Sequence, residues 1–169
     1  MDDIERVRER TMNRAVRLLA AKPRSVEELR GLLLEKPWAD ESAVDAAIER
    51  LREYKYLDDE QYARDVAVSN LWRKPQGRRS LQQMMSRKKL GSETVRDAID
   101  DAYAQLPEVD LINAAIEKRL RMKGRPETRE DTKKFYDHLL RRGFSYDLIR
   151  EKMALVAKGR LQNDGEDQL

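Results

Sequence analysis

Residues 135–153 read Phe135-Tyr136-Asp137-His138-Leu139-Leu140-Arg141-Arg142-Gly143-Phe144-Ser145-Tyr146-Asp147-Leu148-Ile149-Arg150-Glu151-Lys152-Met153. Phe135 and Leu139 lie four residues apart, Phe144 follows five later, and Ile149 and Met153 are again four apart. Four-residue steps place side chains on one face of a helix, and Gly143 supplies the left-handed conformation at which a helix stops. The stretch is therefore a helix, a turn and a helix. The same apolar pattern recurs as Leu81, Met85, Leu90, Val95 and Ile99, and as Leu29, Leu33, Trp38, Val44 and Ile48 with one more residue in its turn. Copies spaced by roughly fifty residues signal stacked helical units rather than one closed domain.

Working outward, each copy gains a preceding helix. The first runs from Asp3 to Ala21, with Ile4, Val7, Thr11, Ala15 and Leu18 on one stripe, and Pro23 ends it. Ser25 and Glu28 have the spacing of a capping box, and Asp40 or Ser42 caps the helix of Val44, Ile48 and Leu51. Asp58-Asp59-Glu60 places acidic groups at the start of a helix whose inner face holds Tyr62, Val66 and Asn70. Pro75-Gln76-Gly77 breaks the chain. Val109, Ile112, Ile116 and Leu120 form the next stripe, Gly124-Arg125-Pro126 ends it, and Thr128 and Ser145 cap the last two helices. The fold expected is all-α: three tandem three-helix, helix-turn-helix-like repeats over 1–57, 58–106 and 107–159, stacked into an elongated, curved array, with a disordered tail over 160–169. A compact chain of this length has a radius of gyration of about 15 Å, and stacked repeats predict a larger value in solution scattering. Leu33, Leu90, Ile99, Phe144 and Ile149 are expected in the core, and Trp38 is expected to plug the first turn.

Composition agrees, with 40% of 169 residues charged and 6% aromatic. The absence of cysteine removes disulfides and thiolate chemistry and fits a reducing cytoplasm. Met1-Asp2-Asp3-Ile4-Glu5-Arg6 has no basic segment followed by an apolar one, and no apolar run approaches a bilayer span, so a soluble protein without a secretion signal is expected. His138 is the only histidine, which excludes multi-histidine metal sites, and its place in a helical repeat favours a structural role. The seven glycines are scattered and form no phosphate loop. The reading is a chain with no catalytic residues, no metal and no cofactor.

Charge is more informative. Between Val66 and Ser92 there is no acidic residue, while Arg73, Lys74, Arg78, Arg79, Arg87, Lys88 and Lys89 all fall there. Such a run suits an anionic partner, either phosphate backbone or acidic protein; cations also favour helix C-termini and keep small-core proteins soluble. The length of the acid-free stretch favours binding. A second run comprises Lys118, Arg119, Arg121, Lys123 and Arg125. Trp72, beside Arg73 and Lys74, is placed either in ordinary packing, the favoured reading, or as a stacking or docking residue.

Tyr56-Leu57-Asp58-Asp59-Glu60-Gln61-Tyr62-Ala63 is similar to the Asp-Asp-Glu-x-Phe/Tyr-Ala signature of RecX, bacterial proteins that modulate the RecA recombinase. A basic stretch with Gly77 follows, as in that family, and Leu139-Leu140-Arg141-Arg142-Gly143-Phe144-Ser145-Tyr146-Asp147-Leu148-Ile149 resembles its terminal basic-Gly-aromatic turn. The likeness spans roughly Arg14 to Ala157. It departs where the turn glycine is Pro37 in the first repeat and Lys89 in the second. What the resemblance implies is a cytoplasmic, monomeric, non-enzymatic regulator in DNA repair, recombination and the SOS response. Such a regulator binds in the groove of the RecA–DNA filament and restrains its growth, ATPase, strand exchange and coprotease activities. The alternative is a protein binding single- or double-stranded DNA directly through the basic middle repeat. Reversing the charge of Arg78, Arg79, Arg87 and Lys88 is expected to abolish inhibition, and reversing Arg6 and Arg10 to be nearly silent.

Overall fold

A computed structural model of the chain describes residues 3–159, and among these every regular element is helical. The helices are α1 (Asp3–Ala21), α2 (Val26–Leu34), α3 (Glu41–Glu53), α4 (Asp59–Arg73), α5 (Arg78–Met85), α6 (Ser92–Gln105), α7 (Glu108–Lys123), α8 (Arg129–Arg141) and α9 (Tyr146–Ala157), with a 3₁₀ turn at Ser86–Lys88. The expected tail over 160–169 lies outside the described residues. No described helix is long and apolar enough to cross a membrane.

The helix starts follow from the capping chemistry in the sequence. Ser25 Oγ accepts from the Glu28 amide while Glu28 accepts from the Ser25 amide, the complete capping box. Asp40, Asp58, Thr128 and Ser145 each accept from an amide three residues on. At the far end of α8 Gly143 has φ +83°, and Lys89, four residues beyond Met85 as Gly143 is beyond Leu139, has φ +51°. The second repeat thus makes the same left-handed turn with a side chain in place. That substitution is strained, because a Cβ crowds the following carbonyl there.

The described residues fall into two compact units, one within Met1–Asp65 together with Met85–Arg96, the other within Val66–Met84 together with Asp97–Leu169. In the first, α1, α2 and α3 pack together. Their core is Ala15, Leu29, Leu33, Val44, Ile48 and Leu51, with Leu57, flanked by Met12, Leu18, Leu19, Val26 and Ala39. In the second, α7, α8 and α9 pack together, and Ile112, Ile116, Phe135, Leu139, Phe144, Ile149 and Met153 are buried.

Several positions differ from the sequence reading. Leu90 is half-buried rather than core, and Trp38 is half-buried with the Arg10 guanidinium 4.2 Å from its ring centroid. Val109 is exposed, its place in the α7 core face taken by Leu111. Along α4 the buried residues are Tyr62, Ala63, Ala67 and Leu71, not Asn70. A four-residue apolar step identifies a face, but not which edge of that face a neighbouring element reaches.

One contact recurs between consecutive repeats. At the start of α2, the Ser25 hydroxyl donates to the Lys88 carbonyl at 2.8 Å, and the Val26 amide donates to Asp59 at 2.8 Å. At the start of α5, fifty-two residues on, the Gly77 amide donates to the Arg142 carbonyl at 2.8 Å and the Arg78 amide to Glu108 at 3.1 Å. Each middle helix therefore begins with otherwise orphaned amides, and in both cases it is the following repeat that supplies acceptors. The second joint is closer: a Cβ on Gly77 would lie 2.2 Å from the Gly143 carbonyl oxygen. Arg142 braces it by donating to the Pro75 carbonyl at 3.0 Å.

Candidate interaction surface

The middle basic run is not one population of cations. Arg73 ends α4, Lys74 follows it, and Arg87 and Lys88 lie in the 3₁₀ turn that closes α5. All four sit where the helix dipole favours positive charge. Arg78 and Arg79 are opposite in sense, because they open α5, whose first turn holds no acid, and cations at a helix N-terminus oppose its dipole. For Arg78 the structure supplies compensation. Its guanidinium meets Asp100 at 2.5 Å and lies 5.1 Å from the Tyr103 ring centroid, while its amide is held by Glu108. Burial and the Glu108 charge push the Tyr103 hydroxyl pKa up, and that hydroxyl donates to the Gln76 carbonyl at 2.9 Å. Arg78 is thus partnered within its own unit, with 48% of its side chain still exposed. Arg79 is exposed and, among the described residues, makes no ion pair, so it has no structural compensation for its position.

Arg73, Lys74 and Arg87 are also exposed, and Lys88 is half-buried with its carbonyl engaged by Ser25. Beside Arg73, Trp72 is 71% exposed. The packing favoured from sequence is overturned: Leu71 takes the buried position on α4 and turns the next residue outward. In the second compact unit the structure therefore places Trp72, Arg73, Lys74, Arg78 and Arg79 on the end of α4 and the start of α5, whereas Arg87 and Lys88 belong to the first.

The secondary run also divides. Lys118, Arg121, Lys123 and Arg125 are exposed, with Arg121 and Lys123 in the last turn of α7. Arg119 is half-buried with its guanidinium 5.0 Å from the Phe135 ring centroid. His138 is half-buried, and burial, followed by Arg119, Arg142 and Arg141, lowers its pKa from 6.5. Those surroundings disfavour the charged ring.

Sequence reading missed a different basic feature. Arg6, Arg10, Arg14 and Arg17 lie four, four and three residues apart along α1, and together with Glu9, Asn13, Leu18, Lys36 and Trp38 they line one groove in the first compact unit. Uncharged residues, Arg8 and the single acid Glu9 separate these arginines in the linear sequence, so they do not read as a run. Helical spacing applied to cations, as it was to apolar residues, would have shown it.

Sequence profiles described as RecX, first three-helix domain, and RecX, third three-helix domain, match residues 12–51 and 107–153. Relatives include the regulatory protein RecX of Prosthecochloris aestuarii, 32% identical over 146 residues covering 85% of this chain and 91% of the relative. That of Chlorobium limicola is 33% identical over 139 residues, covering 81% and 83%. Among solved structures, RecX from Lactobacillus salivarius superposes with a TM-score of 0.77 at 21% identity, covering 91% of this chain and 99% of that one. A second RecX structure gives 0.68. These structural likenesses concern the fold.

Proposed function

This chain belongs to the RecX family of regulatory proteins, and from that premise we propose that it is a cytoplasmic, monomeric, non-enzymatic regulator that docks on the RecA–DNA filament and inhibits its ATPase, strand exchange and coprotease activities. The observation that carries the proposal is Arg79, an exposed cation at a helix N-terminus without a compensating acid, alongside exposed Arg73 and Lys74 and the largely exposed Trp72. Unpaired charge whose position disfavours its own helix is explained by an external acidic partner. Arg78 is excluded from the docking set because its side chain is spent on Asp100 and Tyr103.

The test is RecA ATPase on single-stranded DNA, titrated with this protein. The unmutated chain inhibits. Changing Arg79 to Glu together with Arg73 and Lys74 to Gln abolishes inhibition while helicity and melting stay near the parent's, and reversing Arg8 and Arg129 to Glu, an equal change of charge, leaves inhibition intact. Equal inhibition by both folded variants would remove the site, and no inhibition by the unmutated protein would remove the function.

A second reading, direct nucleic-acid binding by the middle repeat, is favoured by the exposure of Trp72, whose indole is free to stack on a base. It predicts that Trp72→Ala weakens binding to free single strands in RecA's absence. It also predicts a slope of log affinity on log salt of about −0.7 for each phosphate neutralised.

A further inference from the structure

We propose that the α1 groove of the first repeat is a second binding site, separate from the basic middle repeat, and that it takes the phosphodiester backbone of a single-stranded nucleic acid. Arg6, Arg10, Arg14 and Arg17 line it. Four-residue steps along a helix separate successive side chains by about 6 Å along its axis. One row of cations at that interval follows one phosphate chain. Lys36 adds a positive charge to the lining, and Glu9 is the single acid in it.

Three features distinguish this row from solvated surface arginines. The Arg10 guanidinium lies over the Trp38 ring, 4.2 Å from its centroid, and this attraction to the ring face uses none of its N–H donors. The Arg14 Nε–H is buried and, among the described residues, has no acceptor. Buried donors are nearly always satisfied, and an acceptor entering the groove is one partner this donor could take. The whole row is arginine, whose planar fork binds phosphate oxygens in pairs, as lysine does not. An aromatic ring among such donors is the composition of a single-strand channel. The site does not depend on RecA, and its test leaves RecA out.

The probes are a short thymidylate homopolymer and a short uridylate homopolymer, their binding to the full chain followed by fluorescence anisotropy across a salt series. The two arms report which sugar the groove takes, and binding of either carries the proposal. Arg6, Arg10 and Arg17 changed together to Gln lower affinity at least tenfold and reduce the salt slope by about 2. The charge-matched control, Arg8, Arg50 and Arg129 to Gln, changes affinity less than twofold. A loss of structure in the groove variant is caught by circular dichroism. The unmutated chain then supplies the answer, since bound oligonucleotide protects Arg6, Arg10 and Arg17 from an arginine-specific dicarbonyl reagent while Arg8 stays reactive. Equal losses in the two triple variants, absence of protection, or displacement of the oligonucleotide by polyglutamate at equal charge concentration would each overturn the site.

Discussion

Three residues show how single side chains set the stability of this fold. Lys89 holds φ +51° where the third repeat has glycine, so Lys89→Gly relieves a left-handed strain and is expected to stabilise the protein by about 0.5–1 kcal/mol in urea unfolding. Gly77 is the reverse case. A methyl group there collides with the backbone of Gly143 and Phe144, and neither can retreat without opening the turn, so Gly77→Ala is expected to destabilise by about 3 kcal/mol or more. His138 carries a pH dependence. Its folded pKa lies below 6.5, so on acidification the unfolded chain takes up a proton before the folded one. The stabilisation is complete above 6.5 and is lost as pH falls through 6.5 toward the folded value. The melting temperature should drop between pH 7.5 and 5.5, and His138→Gln, which cannot titrate, should flatten that drop.

Among the elements, the turns are where burial departs from the repeat pattern. Phe144, Leu90 and Trp38 occupy the same place in their copies, yet Phe144 is 3% exposed and the other two are half-buried. Phe144→Ala should therefore cost about 3–5 kcal/mol, whereas Leu90→Ala should cost about 1 kcal/mol, a contrast that chemical denaturation will read directly. The sequence made the helices legible because their caps and apolar steps are local. Ser25 with Glu28, Asp40, Thr128 and Ser145 all act within three residues of themselves. What the sequence hid is non-local. Nothing in a run of cations separates Arg78 from Arg79 when the acids that claim Arg78 lie 22 and 30 residues away. Trp72 was hidden for a smaller reason, a one-residue shift of the α4 core face that buries Leu71 instead. The joints between repeats can be tested at this scale. Asp59→Ala leaves the Val26 amide without its acceptor and should destabilise by about 1–3 kcal/mol, while Asp65→Ala, which removes only an exposed bond from Gln61, should be nearly neutral.

For the whole chain, membership of the RecX family stands on the profile matches and the relatives above 30% identity, and the all-helical fold is shared with the superposed structures. The compact units are bounded at 65/66, 84/85 and 96/97, within or at the ends of helices, because the joints tie the second helix of one repeat to the next repeat. A fragment of residues 1–57 lacks both Asp59 and Lys88, the acceptors for the start of α2, and a chain that short buries too little surface to be robust. It should melt without cooperativity, whereas residues 1–106, which keep that joint and the whole first compact unit, should regain a cooperative transition for that unit by circular dichroism, with residues 66–84 and 97–106 cut from theirs. The same joint gives the molecule a reading direction. The middle repeat alone carries both halves, acceptors in Asp59 and the Lys88 carbonyl and donors in the amides of Gly77 and Arg78. It is in that sense a link with a hook at one end and an eye at the other. The dependence runs one way, since each of the first two repeats takes the acceptors for its second helix from the repeat that follows, so trimming the chain from its C-terminal side strips them from whichever repeat is left last.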